Sequence, residues 1–201
     1  PGQSYGDSAM PGDTFPSYTE FTFNNYPLTG SMHEPAIRIY PVAEYEEISQ
    51  AAADTFEEMR IALRNKSVPE HNGCLPFVPF WNAAMIFNAQ YNYLTFQNGE
   101  GMRYLTMFAQ ASYPPDNRNV FYTFQGMTYD GKYYVSAIFP VSSSELPDNG
   151  DSVITDYMAF EQNWPNYLHE TVQKLNNLGP GEFYPSLTIF DEIITSVTIN
   201  P

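Results

Sequence analysis

Cysteine and basic residues are both scarce in this chain of 201 residues. Cys74 is the single cysteine, so an intramolecular disulfide and a cluster of thiolate metal ligands within one chain are excluded. Flanked by Gly73 and Leu75, it is expected to be a buried, inert thiol. Lysine and arginine number 8 against 23 acidic residues, a formal net charge of −15. This charge repels phosphate backbones and anionic headgroups, so we expect neither nucleic acid nor a membrane surface as partner.

The sequence also lacks the common catalytic and nucleotide-binding motifs. It holds neither a GxGxxG fingerprint nor a GxxxxGK[ST] phosphate loop, and the serines at 142–144 lack the GxSxG elbow of a hydrolase. The three histidines, His33, His71 and His169, are scattered, and no two lie four residues apart. His71 precedes Cys74 by three residues, but no neighbour is identifiable that would orient its imidazole. A hydrolase therefore stays open only as an alternative whose site is assembled in three dimensions, and no cofactor is expected.

One stretch without Asp, Glu, Lys or Arg, from His71 to Gly99, has the length of a membrane span. It contains several Asn and Gln side chains and two prolines, Pro76 and Pro79. Hydrocarbon would not satisfy these polar groups or the broken backbone. The stretch therefore predicts a pair of strands, and we expect no membrane span.

Apolar and aromatic residues are plentiful enough for a folded core. Hydrophobic residues make up 43% of the chain, with 2 Trp, 16 Tyr and 15 Phe, and only 15% of residues are charged. This composition argues against intrinsic disorder, and a chain of this length fits one domain. The first twenty residues are rich in Pro, Gly, Ser and Asp without any period, and they predict a flexible leader or tether. Residues 21–201 are predicted to form the single domain.

Two hairpins are predicted from turn dipeptides. Asp130-Gly131 is typical of a two-residue type I′ loop, and with the turn placed there the paired residue numbers add up to 261. Val120 then faces Val141, so that the apolar residues of the two strands meet. Asn98-Gly99 predicts a second hairpin, in which Tyr93 opposes Tyr104.

Helical patterns bracket these hairpins. Apolar residues at steps of three and four predict one helix from Tyr45 to about Asn65, a second from about Pro165 to Leu178, and a third from about Leu187 to Thr195. A turn at 156–160 precedes the second helix, which is predicted to kink at its proline. Short strands are expected at 21–23, 37–40 and 197–199. Consecutive hairpins with separated helices predict an α+β fold, a single domain with a central antiparallel sheet and flanking helices.

One loop could bind a metal ion. In the segment LPDNGD, Asp148, Asn149 and Asp151 place oxygen ligands of the kind that calcium prefers on a turn. The pattern departs from the EF-hand loop, which has oxygen ligands at alternate positions and a closing glutamate. Calcium is thus a possible ligand, and an ordinary solvated turn is the simpler interpretation.

Tyrosine-rich strands have two interpretations. Tyr91, Tyr93, Tyr122, Tyr133 and Tyr134 lie in the predicted hairpins. Inward rings would belong to the core, as strand propensity favours. Outward rings beside Asn and Gln could stack on sugar faces or anchor another protein.

Four short motifs stand out in the middle of the chain. They are CLPFVP at 74–79, FQNG at 96–99, RYLT at 103–106 and FYTFQG at 121–126. Together they resemble a family of uncharacterised exported bacterial proteins. The resemblance covers residues from about 74 to 140 and brings no known activity. It implies a secreted or lipid-tethered location at the cell envelope.

The end of the chain resembles a second group. A long hairpin followed by a helix, and then the segment FDEIITSV at 190–197, is similar to the ending of PsbP/Mog1-like domains. The resemblance implies an αβα sandwich with an antiparallel sheet, in a group whose members are mostly non-enzymatic accessory or binding proteins. It carries over no functional residue.

These observations favour a non-catalytic role. The sequence predicts an exported domain, secreted or attached to the cell surface or envelope, that binds a protein or surface polymer or contributes to an extracellular assembly. The alternatives are the hydrolase described above and a carbohydrate- or calcium-binding module. The oligomeric state is left open.

Overall fold

The computed structural model describes residues 11–66 and 74–200. The strands are β1 (Thr19–Thr22), β2 (Ala36–Pro41), β3 (Ala84–Met85), β4 (Ala89–Phe96), β5 (Gly99–Thr106), β6 (Phe108–Ala109), β7 (Phe121–Thr128), β8 (Tyr133–Pro140), β9 (Ser142–Ser143) and β10 (Phe183–Tyr184). The α-helices are α1 (Val42–Ile48), α2 (Gln50–Asn65), α3 (Tyr157–Asn177) and α4 (Leu187–Ser196). Single turns of 3₁₀ helix lie at Pro11–Asp13, Gly150–Ser152 and Pro180–Glu182.

An antiparallel sheet with the strand order β1-β2-β8-β7-β5-β4 forms the centre of the domain. Tyr104 on β5 belongs to one core cluster with Phe56 of α2. The next residue, Leu105, points to the opposite face and belongs to a second cluster with Leu168 of α3 and Phe190 of α4. Helices therefore flank the sheet on both faces. The predicted α+β fold, a single domain with a central antiparallel sheet, is confirmed.

The β7–β8 hairpin has the predicted register. Tyr122 lies opposite Phe139 and Phe124 opposite Ala137, so the pairs add up to 261 as expected. The predicted type I′ turn was wrong. The ladder ends at residues 127 and 134, and of the two predicted loop residues Gly131 alone has a positive φ, of +71°. The Asp130 carboxylate instead accepts hydrogen bonds from residues on both sides of it, which holds a wider loop.

The β4–β5 hairpin departs from the predicted register by two residues. Phe96 pairs with Gly99, so the loop consists of residues 97 and 98, and Tyr93 opposes Met102 instead of Tyr104. The Asn98 side chain donates to the carbonyl of Ile199 at 2.6 Å and accepts from its amide at 3.1 Å. The segment 197–199, which the sequence predicts as a strand, therefore lies without strand structure against this loop. The observed turn thus contains a residue, Asn98, that is hydrogen-bonded to a residue 101 positions later in the sequence.

The helix predicted from Tyr45 to Asn65 is two helices. Ser49 interrupts it with an extended backbone, φ −144° and ψ 111°, and its hydroxyl accepts a hydrogen bond from the amide of Ala52 at 3.3 Å. Serine competes for backbone groups in this way, so it caps the second helix instead of continuing the first. The segment predicted as a turn at 156–160 is the first part of α3, which contains Pro165.

Half of the predicted leader packs on the domain. Thr14 is buried, and the ring of Tyr18 lies 4.9 Å from that of Tyr40 on β2. Strand β1 begins at Thr19, within the same segment. Residues 1–10 lie outside the described residues, and the tether stays a prediction.

Candidate functional site

The segment 74–80 is held on the sheet by buried polar side chains. Gln125 on β7 accepts a hydrogen bond from the amide of Val78 at 3.1 Å and donates one to its carbonyl at 3.2 Å. Ser136 also donates to the Val78 carbonyl, and Tyr104 donates to the carbonyl of Pro76 at 3.0 Å. Because these bonds satisfy the backbone, an irregular segment can be buried against the sheet. They also fix the residues that follow, which form one side of a cleft.

We call this feature the Tyr40 cleft. It lies on the face of the sheet that carries α1 and has a cavity volume of about 330 Å³. The side chains that define it are Tyr18, His33, Arg38, Tyr40, Tyr45 and Trp81. Phe80 and Glu34 also line it. The cleft thus combines aromatic walls with a small number of polar groups, as small-molecule sites in proteins do.

Two tyrosines at the base of the cleft are unusual. Tyr40 on β2 and Tyr45 on α1 are each only 2% exposed, and their rings lie 5.4 Å apart. Within residues 11–66 and 74–200, neither hydroxyl has a hydrogen-bond partner. Although the two residues are almost fully buried, their hydroxyl oxygens reach the open space of the cleft. The two hydroxyls are therefore available to a molecule in the cleft.

Both hydroxyls stay protonated near neutral pH. Burial raises the pKa of Tyr45 to about 12, and burial raises the pKa of Tyr40 well above its usual value. The nearby Arg38 lowers the pKa of Tyr40 but does not offset burial. As protonated phenols, each can donate one hydrogen bond and accept others.

The charged groups of the cleft are close to balanced. The Arg38 guanidinium donates through its Nε to a carboxylate oxygen of Glu20 on β1, at 2.7 Å. Its remaining N–H groups have no hydrogen-bond partner among the residues that the structure describes. Glu34 adds an exposed carboxylate to the lining.

His33 is held by aromatic rings. Its imidazole is stacked on Trp81, with the ring centres 4.7 Å apart and the planes 5° from parallel, and meets Phe121 edge-on at 4.7 Å. Burial lowers the pKa of His33 to about 4, so the ring is neutral at pH 7. The stacked pair gives the cleft one rigid side.

This burial predicts a pH dependence of stability. The folded state binds a proton at His33 only near pH 4, whereas the unfolded chain binds it near pH 6.5. Stability from this group is complete above pH 6.5 and is lost as the pH falls through 4, about 3 kcal/mol in total. We expect urea denaturation to show this loss in the parent protein, and His33→Gln to remove it. His169→Gln, at an exposed position, should keep the loss. If the free energy of unfolding of the His33 variant fell with pH as steeply as that of the parent protein, the prediction would be contradicted.

The predicted calcium ligands lie elsewhere, in the loop before the 3₁₀ turn at Gly150–Ser152. The Asn149 oxygen accepts from the amide of Asp151 at 3.0 Å and from the Tyr113 hydroxyl at 3.1 Å. Asp148 accepts from Asn117 at 3.2 Å. In the described part of the chain, no three His, Cys, Asp or Glu side chains group closely enough to hold a metal ion. The calcium site stays a prediction.

A thermal measurement tests the calcium site. We expect millimolar calcium to leave the Tm unchanged relative to EDTA, because oxygens of Asp148 and Asn149 already hold the loop by hydrogen bonds. A rise in Tm with calcium that disappears in Asp148→Asn combined with Asp151→Asn would instead establish the site.

The nucleophile candidates from the sequence are not brought together with a described histidine. Cys74 is exposed, so the expectation of a buried thiol was wrong: the segment it begins is anchored from Pro76 onward. Ser142 donates to the carbonyl of Tyr184, in the β9–β10 ladder. His169 is exposed on α3, and its Nε2 lies 2.9 Å from the Nε2 of Gln173. His71 lies outside the described residues.

Most strand tyrosines belong to the core. Tyr122 and Tyr134 are fully buried, as sheet propensity favours. Tyr91 and Tyr93 contact each other edge-on at 5.3 Å and pack near α2. The sequence did not single out Tyr40 or Tyr45. All that the sequence indicated was their place in predicted elements: Tyr40 at the end of a strand and Tyr45 at the start of a helix.

Comparison with known proteins finds no family model, no curated protein and no solved structure that matches this chain. The two resemblances noted in the sequence therefore stay predictions. In the described part of the chain, no helix is long and apolar enough to cross a membrane.

Proposed function

We propose that this protein is a non-catalytic binding domain, secreted or attached to the cell surface or envelope, and that the Tyr40 cleft is its recognition site. The observation that carries the proposal is the pair of hydroxyls of the buried residues Tyr40 and Tyr45, which line an aromatic cleft and have no hydrogen-bond partner among the described residues. A hydroxyl placed in this way can form a hydrogen bond to a bound ligand without breaking one within the described fold.

The protonation states in the cleft favour binding over acid–base catalysis. A general acid or base works best when its pKa lies near the working pH. Burial moves the pKa of His33 down to about 4 and the pKa of Tyr45 up to about 12, both away from neutrality. Near pH 7 these groups keep their protons fixed and serve as stable hydrogen-bonding partners.

The location and the kind of partner are part of the same proposal. The composition of the first twenty residues and the resemblance to exported bacterial proteins support a place at the cell surface. A partner there would present a small polar group to the cleft, whether it belongs to a surface polymer or to a protein.

A ligand screen with paired variants tests the recognition site. We expect at least one class among neutral sugars, amines, carboxylates and short peptides to raise the Tm of the parent protein. The gain should disappear in Tyr40→Phe combined with Tyr45→Phe. It should persist in Tyr134→Phe, which removes an equally buried hydroxyl that bonds to Gln125 at 2.9 Å.

Two results would count against the proposal. A ligand that stabilises the parent and the double variant equally would place recognition outside the Tyr40 cleft. Recovery of a bound ligand in cleaved form, detected by mass spectrometry, would favour the hydrolase alternative.

A further inference from the structure

We propose that the Tyr40 cleft binds a neutral carbohydrate, whose hydroxyls engage Tyr40 and Tyr45 while its ring packs on the aromatic wall. This inference rests on the proposed function and names the class of ligand for the same site.

The other deeply buried tyrosines provide an internal comparison. Among residues 11–66 and 74–200, five tyrosines are almost completely buried: Tyr40, Tyr45, Tyr104, Tyr122 and Tyr134. Tyr104 donates to the Pro76 carbonyl at 3.0 Å, Tyr122 to Asp191 at 3.0 Å and Tyr134 to Gln125 at 2.9 Å. The fold therefore supplies acceptors where a hydroxyl serves the core. The two hydroxyls for which the described residues supply none are those that line the cleft.

The polar groups of the cleft match an alcohol better than an ion. A sugar hydroxyl both donates and accepts, and so does the phenol of a tyrosine. The N–H groups of Arg38 that have no partner within the described part of the chain add donors, and the carboxylate of Glu34 adds an acceptor. Each functional group of a polyol thus has a complementary partner in the cleft.

Electrostatics disfavours a charged ligand. A cation would meet the guanidinium of Arg38, whose charge acts directly on Tyr40. An anion would meet Glu34, with Glu20 already paired to Arg38, in a protein of formal charge −15. Because Arg38 and Glu34 carry opposite charges, a ligand of either sign is attracted by one and repelled by the other, whereas a neutral ligand meets no repulsion.

The walls and the size fit one sugar unit. Phe80 and Trp81 contribute aromatic surface, and Trp81 is fixed by its stacked contact with His33. The C–H faces of a sugar ring can pack on such surfaces and leave its hydroxyls free for the polar groups. The volume of about 330 Å³ lies at the lower end of the ~300–1,000 Å³ of ligand pockets.

Titration calorimetry and ligand-detected NMR test the inference on the full chain. The panel contains glucose, galactose, mannose, N-acetylglucosamine and their β-linked disaccharides, with inorganic phosphate and tetramethylammonium as charged comparisons. We expect at least one neutral sugar to bind, and Tyr40→Phe with Tyr45→Phe to weaken it about tenfold or more. Tyr134→Phe should leave the affinity within about twofold, since its hydroxyl lies outside the cleft.

A fold control accompanies the binding data. Tyr40→Phe and Tyr45→Phe remove hydroxyls that have no partner among the residues the structure describes, so the Tm of the free protein should stay unchanged or rise. Tyr104→Phe, which deletes a bonded hydroxyl, should lower it. This pattern separates a ligand site from a structural role.

Several outcomes would overturn the inference. Absence of sugar binding to the parent protein, or equal binding by the double variant, would do so. Binding of phosphate or tetramethylammonium alone, lost in the double variant, would overturn the carbohydrate assignment and leave the proposed recognition site standing.

Discussion

Gln125→Ala is expected to lower the free energy of unfolding by about 4 kcal/mol. The change removes the acceptor for the Val78 amide and for the Tyr134 hydroxyl, both of which are buried. Each buried donor left without a partner costs about 1–3 kcal/mol, and the missing side-chain volume adds a cavity. The measurement is urea denaturation followed by circular dichroism.

The control is another glutamine to alanine change, at Gln173. This residue is exposed on α3, so the free energy of unfolding should change by no more than about 0.5 kcal/mol. Equal effects at Gln125 and Gln173 would show that the segment 74–80 is not held as described.

Gly101→Ala should lower the free energy of unfolding by about 3 kcal/mol or more. Gly101 on β5 pairs with Gly126 on β7, and the Phe124 ring lies over both. A Cβ at residue 101 would come to 2.5 Å from the Phe124 Cζ and to 2.6 Å from the Gly126 Cα, and it would also clash with the Gln125 carbonyl. Backbone on the neighbouring strand cannot move aside without breaking the ladder.

Gly181→Ala serves as the matched change. An added Cβ there meets nothing within 4 Å, and its φ is not positive. Its stability should be unchanged or slightly higher, by up to about 0.5 kcal/mol, because alanine restricts the unfolded chain. A small effect of Gly101→Ala would mean that β5 and β7 are less closely packed than the structure has them.

Local patterns were enough to predict the α+β fold and the β7–β8 register. The apolar residues of those strands coincide in only one pairing, so a slip would expose them. In the β4–β5 hairpin both faces are mixed, and the register depends instead on contacts that are remote in sequence. Asn98 binds Ile199, and Gly99 lies in the strand, packed against the Phe96 ring.

The Tyr40 cleft could not be predicted in the same way. Tyr40 and Tyr45 read as core aromatics, since nothing in a sequence shows whether a buried hydroxyl has a partner. The contact between the CLPFVP and FYTFQG motifs was equally hidden, because Gln125 binds main-chain atoms of Val78 that every sequence possesses. The predicted ligand residues at 148, 149 and 151 stood out by composition, which does not show that oxygens of Asp148 and Asn149 already accept hydrogen bonds within the fold.

Because Gln125 binds the main chain of Val78, the side chains that follow in the wall of the Tyr40 cleft can vary in sequence. The hydrogen bonds between the Gln125 side chain and the main chain of Val78 do not depend on which side chains occupy positions 74, 80 and 81. Phe80 packs on the Tyr45 ring and Trp81 on the rings of His33 and Phe121, so exchanges for other aromatic side chains should leave the anchor beneath them in place. With the Tyr40 cleft as the proposed recognition site, a library of aromatic side chains at these two positions should yield folded proteins with altered ligand preferences.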